Sequence, residues 1–255
     1  TMELIIRNEL MVGIKNKRVT VLKNGEETTL PDLAVVRTID PIFSSHLEEM
    51  GVLVFNSSRV ARICNHKSLT HREVQKLSIP MVDTYFYKSN TLPEKPPLNF
   101  PFVMKSAHGR GGLEVLFINS YDTWNRSKKI LSSGDIVIQT ANVQRGKDLR
   151  VFIVGKEIVA CVLRESTKDF RANFTLGGTA SLYPLNSEEI RMIKKICNHF
   201  DFDMVGVDFL IDKEGNLLFN EIEDVVGSRT LSKLTDINLL EKYTTHIYKK
   251  WTSLK

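Results

Sequence analysis

The segment Met204–Glu223, MVGVDFLIDKEGNLLFNEIE, constrains this chain more than any other. A nearly unbroken apolar strand, Met204 to Ile211, contains one carboxylate, Asp208, and after a polar turn, Asp212 to Asn216, a second apolar strand ends in Glu221-Ile222-Glu223. Side chains alternate across a strand, so Glu221 and Glu223 face one way and Ile222 the other. With the turn centred near Glu214, Asp208 stands opposite Glu221 as a close cross-strand neighbour. Three carboxylates on one spot repel one another unless a cation sits among them. An all-oxygen donor set without His or Cys suits Mg²⁺ or Mn²⁺, and Mg²⁺ in turn implies a substrate phosphate. The plain alternative is that one of the three is an ordinary surface charge.

A second feature lies upstream, where a strand at Phe102–Lys105 runs into Ser106-Ala107-His108-Gly109-Arg110-Gly111-Gly112 before the apolar run Leu113–Ile118. Lys105 ends the strand, and Gly109, Gly111 and Gly112 allow backbone N–H groups to approach an anion. The loop is not a Walker loop and does not open a helix as a dinucleotide fingerprint does. Alone it reads as a hairpin turn; beside the carboxylates it reads as a phosphate cover. A third feature gathers Arg150, Arg164, and Arg171 with Asn173 in KDFRANFTLGG. Arginine forks bind carboxylates and phosphates at two points, and Gly177-Gly178 would let this segment move as a flap. Six histidines without metal spacing, and no G-x-S-x-G or Cys/His arrangement, propose no covalent nucleophile.

The remaining pattern frames these features. The first fifty residues give short strands at Leu4–Ile6, Arg18–Leu22 and Leu33–Arg37, then a helix over Phe43–Met50, a strand at Val52–Phe55, and a helix capped at Ser57-Ser58. Ser68 or Thr70 caps a further helix reaching Leu77, and Lys88–Pro101 is a loop that no regular element crosses. A strand at Ile136–Gln139, a hairpin pairing Leu149–Val154 with Ile158–Leu163, a helix from Ser187 to about Phe200 and a terminal helix over about Ile237–Trp251 complete it. At 255 residues, 42% apolar and 25% charged, the chain can bury a sizeable core, and two lobes are expected. Its longest apolar stretches fall far short of the ~18 residues of a membrane span, and Glu3 and Arg7 interrupt the start, so a cytoplasmic protein is expected. Three scattered cysteines, Cys64, Cys161 and Cys197, support neither disulfides nor zinc. A net charge of +5 and pI of about 9.0 suit anionic ligands as well as nucleic acid, but no basic block carries interleaved aromatics.

With those residues in view, the chain resembles an ATP-grasp ligase, and within that superfamily the RimK-type glutamate ligases and the ATP-binding domain of bacterial glutathione synthetase. The motifs are NSSRVARICNHKSLTHREV, PFVMKSAHGRGG, VIQTANV, GKDLRVFIVGKEIVACVLRES, DFRANFTLGG and VGVDFLIDKEGNLLFNEIE, in order from about Asn56 to Glu223. The resemblance implies an α+β fold in which two lobes clasp ATP: an ATP-grasp domain over 58–255, its lid at about 66–138 and its core at about 139–255, preceded by a short α/β lobe at 1–57. It implies Lys67 and Lys105 on the phosphates under the loop of Gly109, Gly111 and Gly112. Gln139 and Thr140 fall at the adenine hinge, Asp148 beside the nucleotide, and Arg171, Ala172 and Asn173 in the segment closing on nucleotide and substrate. Asp208, Glu221 and Glu223 match the positions that hold two Mg²⁺ ions, with Mn²⁺ as a substitute.

The implied reaction is amide formation between a carboxylate-bearing acceptor and an amino acid such as glutamate through an acylphosphate. Arg150 and Arg164 are the candidates for holding the acyl substrate and stabilising the oxyanion, and Arg171 is counted with them as a catalytic candidate. A homo-oligomer is expected by resemblance alone, and neither a membrane nor a nucleic-acid partner is implied. Three departures from the family pattern stand out. Glu223 replaces a more usual Asn, which predicts tighter dependence on divalent metal. Thr140 replaces Glu, and Asp224-Val225-Val226-Gly227-Ser228-Arg229 replaces a short Ser/Pro/Gly segment. Family members also begin with another strand and helix before the equivalent of Leu4–Ile6. The competing readings are a non-catalytic ATP-binding regulatory module, which intact Lys105, Arg171, Asp208, Glu221 and Glu223 argue against, and a nucleic-acid binder, which rests on pI alone.

Overall fold

The computed structural model describes residues 2–112, 114–172 and 178–254. The N-terminal unit holds a small antiparallel sheet, β1 (Leu10–Lys15), β2 (Arg18–Lys23) and β3 (Glu26–Glu27), and a parallel pair, β4 (Leu33–Val35) and β5 (Leu53–Phe55). Between that pair runs α1 (Pro41–Glu49), started by the Asp40 carboxylate on the Phe43 N–H and by a proline at its first position. Phe43 and Leu47 of α1 pack on Val21, Val52 and Val54, a core of its own. The strand expected at Leu4–Ile6 is instead irregular chain leading into a single 3-10 turn, and β1 lies further on at Leu10–Lys15. Three isolated apolar residues offer no alternation by which to set a strand's limits.

Two short helices follow, α2 (Ser58–Cys64), capped by Ser57, and α3 (Lys67–Gln75). α3 starts before both expected caps; the Thr70 hydroxyl donates back to the Ile63 and His66 carbonyls, 2.6 and 3.1 Å away, and so ties the two helices together. Next come β6 (Thr84–Lys88), β7 (Phe102–Ser106), β8 (Val115–Ile118), α4 (Tyr121–Ile130) and β9 (Asp135–Thr140), forming an antiparallel sheet of order β6-β9-β7-β8. Trp124 of α4 and Phe102, Met104, Ile136 and Ile138 of the sheet make its core. A reciprocal cap between Ser120 and Thr123 starts α4.

The second sheet contains β10 (Lys147–Val154), β11 (Glu157–Glu165), β12 (Thr179–Leu182), β13 (Met204–Ile211) and β14 (Leu217–Glu223), in the order β12-β11-β10-β13-β14 and antiparallel throughout. On one face Val151, Ile153, Val205, Val207, Phe209 and Phe219 pack on α2, α3 and α5 (Ser187–His199). On the other, Phe152, Val154 and Met204 pack on Phe55 of β5, on Leu231 of α6 (Arg229–Leu234) and on α7 (Leu239–Thr252). The sheet is thus covered by apolar side chains over one face and over the Phe152, Val154 and Met204 part of the other. α2 and α3 sit on this second sheet, while the chain expected to divide the lobes at about 138–139 is inside β9. No helix among the described residues is long and apolar enough to cross a membrane.

Candidate functional site

The expected pairing of the carboxylate hairpin is observed: Asp208 on β13 stands opposite Glu221 on β14. It is reached through a β-bulge. The turn sets Ile211 against Leu217 and Phe209 against Phe219, and Asn220 is then an extra residue before Asp208 meets Glu221. Strict alternation back from Glu223 would have put Phe219 and Leu217 on the carboxylate face. The bulge returns both to the apolar core beside Ile222 and leaves Asn220 and Glu221 together on the other face.

On that face Asp208 is 1% exposed and accepts from Arg150 in a two-point fork at 2.7 and 2.6 Å, and from Arg164 at 2.8 Å. Arg164 makes a second fork with Asp148, at 2.6 and 2.8 Å, and Arg150 reaches Glu223 at 3.0 Å. The three strands place these groups by register, since Arg150 lies beside Asp208 across β10 and β13 and Arg164 beside Asp148 across β10 and β11. Burial would lift the Asp208 carboxyl, but the two guanidiniums outweigh it and hold it at about 2. Burial likewise works to raise Glu221, and Lys67 and Lys105 overcome it and pull it below its ordinary value. Glu223 is raised by burial, with Arg150 pulling against it and the neighbouring Asp208 and Glu221 carboxylates adding to the rise.

Lys67, at the start of α3, bridges Glu221 at 3.0 Å and the Gly109 carbonyl, while its N–H donates to the Ala107 carbonyl at 2.9 Å. Lys105 of β7 crosses to the bulge residue Asn220 at 2.9 Å, and burial pulls its ammonium down to about 8. The glycine loop is held by its own sterics. A Cβ on Gly109 would lie 2.9 Å from the Glu114 carboxylate, and Gly111 and Gly112 have φ of +63° and +76°. Arg171, paired with Asp169 at 2.7 Å, donates to the Gly112 carbonyl and so ties the loop to the second sheet. Phe117 of β8 meets Phe170 at 5.3 Å between ring centroids, with the Arg145 guanidinium 4.5 Å from the Phe117 centroid.

These groups line one cavity between the two sheets. Its walls include Lys67, Lys105, the glycine loop, Arg150 and the carboxylates, and also Gln139 and Thr140 with the apolar Val103, Val143 and Leu210. Of the residues expected from sequence, Asp148, Arg164, Arg171 and Ala172 also line it, and Asn173, with the flap segment through Gly177, lies outside the described residues. Sequence reasoning missed Asn220, Arg145 and the Phe117–Phe170 contact; only Asn220 left a signal, the one-residue break in the apolar spacing of Leu217, Phe219 and Ile222. Oxygens of Asp208, Glu221 and Glu223 lie within 4.8 Å of one another, and such a hard donor set fits a divalent cation. A cavity lined by apolar side chains as well as by cations interleaved with carboxylates can take a flat base and a metal-bound polyphosphate.

The sequence profile of the RimK-like ATP-grasp domain matches residues 62–247. The chain belongs to the RimK-like ATP-grasp family. It is 27% identical over 241 residues to β-citrylglutamate synthase B of Danio rerio, covering 88% of this chain and 59% of that protein. To human N-acetylaspartylglutamate synthase A it is 29% identical over 223 residues, 78% of this chain and 55% of the relative. A third relative, the glutamate–LysW ligase ArgX of Sulfurisphaera tokodaii, is 25% identical, with 87% and 83% covered. The chain thus spans a little over half the length of the first two relatives. Among solved structures, the VanG D-Ala:D-Ser ligase of Enterococcus faecalis superposes with a TM-score of 0.72 at 14% identity, covering 93% of this chain and 78% of that one. The ATP-grasp ligase PsnB, solved with a minimal precursor, gives 0.66 at 12%, covering 95% and 87%. The two α+β lobes described above are the ATP-grasp fold.

Proposed function

We propose that the chain is an ATP-dependent ligase joining a carboxylate to an amine, and that the amine belongs to an amino acid such as glutamate. The observation that carries this reading is the convergence of Asp208, Glu221 and Glu223 with Lys67 and Lys105 in one cavity under the glycine loop. Family membership supports ATP as the co-substrate, and all three relatives' names contain glutamate.

In this reading Gln139 and Thr140 border the base and Lys67, Lys105 and the glycine loop hold the phosphates. Asp208, Glu221 and Glu223 would hold two Mg²⁺ ions, which supply charge neutralisation on the phosphates. A substrate carboxylate attacks the γ-phosphorus, releasing ADP, and the amine then displaces phosphate from the acylphosphate. The residues contribute positioning and charge. Arg150 and Arg164, held by their carboxylate forks, offer fixed donors to an acyl oxygen as negative charge develops on it, and Arg171 joins the two lobes around the substrates. No side-chain nucleophile is required. The acceptor is a small molecule, a peptide or a protein tail.

The test is ADP release by the chain with ATP and Mg²⁺ against pooled amino acids crossed with pooled carboxylates and peptides, product masses being read in parallel. The expected result is a mass gain of one condensed unit matched mole for mole by ADP. ATP binding with no turnover against any pool would favour the non-catalytic module.

A further inference from the structure

At Gln139, in the cavity wall, a buried hydrogen-bond chain is left unused by the proposed reaction. His71, 2% exposed in α3, has its Nδ1 2.8 Å from the Lys67 carbonyl oxygen one turn earlier. A carbonyl only accepts, so Nδ1 carries the proton and Nε2 presents a lone pair. The Gln139 amide nitrogen, 3.1 Å from that lone pair, donates to it, and donates again to the hydroxyl of Thr84, its cross-strand partner on β6, at 3.0 Å. The Thr84 hydrogen is itself committed to the Val82 carbonyl at 2.8 Å.

Both neighbours of the Gln139 nitrogen are therefore acceptors toward it. Turning the amide over would set its oxygen against two lone pairs and leave both neighbours unsatisfied. With both amide hydrogens used, what Gln139 offers to the cavity it lines is its carbonyl oxygen, an acceptor of fixed orientation. We infer that His71 and Thr84, acting through Gln139, select a 6-aminopurine nucleotide over a 6-oxopurine one. An exocyclic amine donates to the Gln139 oxygen, whereas the oxo group of inosine or guanosine nucleotides meets it acceptor to acceptor. His71 and Thr84 are positioning residues. The inference rests on the nucleotide reading above and adds base selection to it.

The experiment is titration calorimetry of ATP and ITP, in excess Mg²⁺, with the wild-type chain and with H71L, H71Q and T84V. The wild type is expected to prefer ATP. H71L leaves the amide only the Thr84 hydroxyl, which can turn to donate to it, and lowers the ATP-to-ITP preference about tenfold or more, chiefly by improving ITP binding; T84V keeps the His71 lone pair against the amide and lowers the preference less. H71Q supplies an amide donor and acceptor in place of the two ring nitrogens and keeps the preference. Should H71L fail to fold in a thermal melt, H71M, which also removes the ring acceptor, decides in its place. A preference unchanged in folded H71L or H71M, or a wild type that binds ATP and ITP equally, overturns the inference alone. A wild type that binds neither removes the nucleotide reading and the inference with it.

Discussion

Asp208 is the residue on which the site's electrostatics turn. It is buried between two guanidiniums, each of which also holds a second carboxylate, Glu223 or Asp148. Replacing it with Asn keeps the shape and removes the charge, leaving Arg150 and Arg164 short of a partner in a low-dielectric interior. The expected cost for Asp208→Asn is about 3 kcal/mol in a urea melt, with ligation falling at least about a thousandfold; full activity would contradict the metal-site assignment. His71 makes a second prediction. Burial, with Lys105 nearby, pulls its ring down to about 4 from 6.5. The unfolded chain therefore binds this proton first as pH falls. The stability from neutral His71 is present above about pH 6.5 and is lost as pH drops toward 4, up to about 3 kcal/mol. Urea melts at pH 7 and 4.5 should show a smaller drop for His71→Gln than for the wild type.

At the scale of elements, the two antiparallel strands β13 and β14 were legible because an apolar run broken by a single acid can hardly be anything but a buried strand. The register followed from the turn, and the shared face of Glu221 and Glu223 from alternation. The Asn220 bulge was readable only in the spacing of the apolar partners, and it supplies the contact to Lys105. α4 escaped because its exposed face is polar and Trp124 is its only large buried side chain. The short β6, β12 and α6 are stabilised by neighbours distant in sequence, which local pattern does not report. Gly206 shows how tightly β13 supports the site. A Cβ there would lie 2.7 Å from the Val226 side chain and 3.5 Å from the Arg150 Cδ. Gly206→Ala is expected to cost about 2 kcal/mol by overpacking and to weaken ligation by displacing Arg150; an unchanged melt and rate would show that Val226 yields freely.

Over the whole molecule, the N-terminal unit is fastened to the second sheet by one buried amide. Asn56 donates to the Met204 and Asp224 carbonyls at 2.9 and 3.2 Å and accepts from the Asp203 and Met204 N–H groups at 2.7 and 3.2 Å. Arg37 adds a bond to the Val226 carbonyl at 2.7 Å, within the segment that departs from the family pattern. Asn56→Ala leaves four backbone groups without that partner and should cost about 3 kcal/mol, visible as a lower denaturant midpoint; a loss under about 0.5 kcal/mol would mean water replaces the amide. The glycine loop and the arginines were legible as candidates, yet the closure of the first sheet on the second was not, because Lys105–Asn220, Arg171–Gly112 and Phe117–Phe170 join residues 53 to 115 positions apart. Binding of ATP in this cleft through divalent cations held by Asp208, Glu221 and Glu223 is the proposal on which the others depend. It is tested most directly by titrating ATP into the wild-type chain and Glu221→Gln, each with Mg²⁺ and with chelator. Saturable binding by the wild type that weakens about tenfold or more in chelator, and in the variant, is the predicted result; equally tight binding in all four titrations would contradict it.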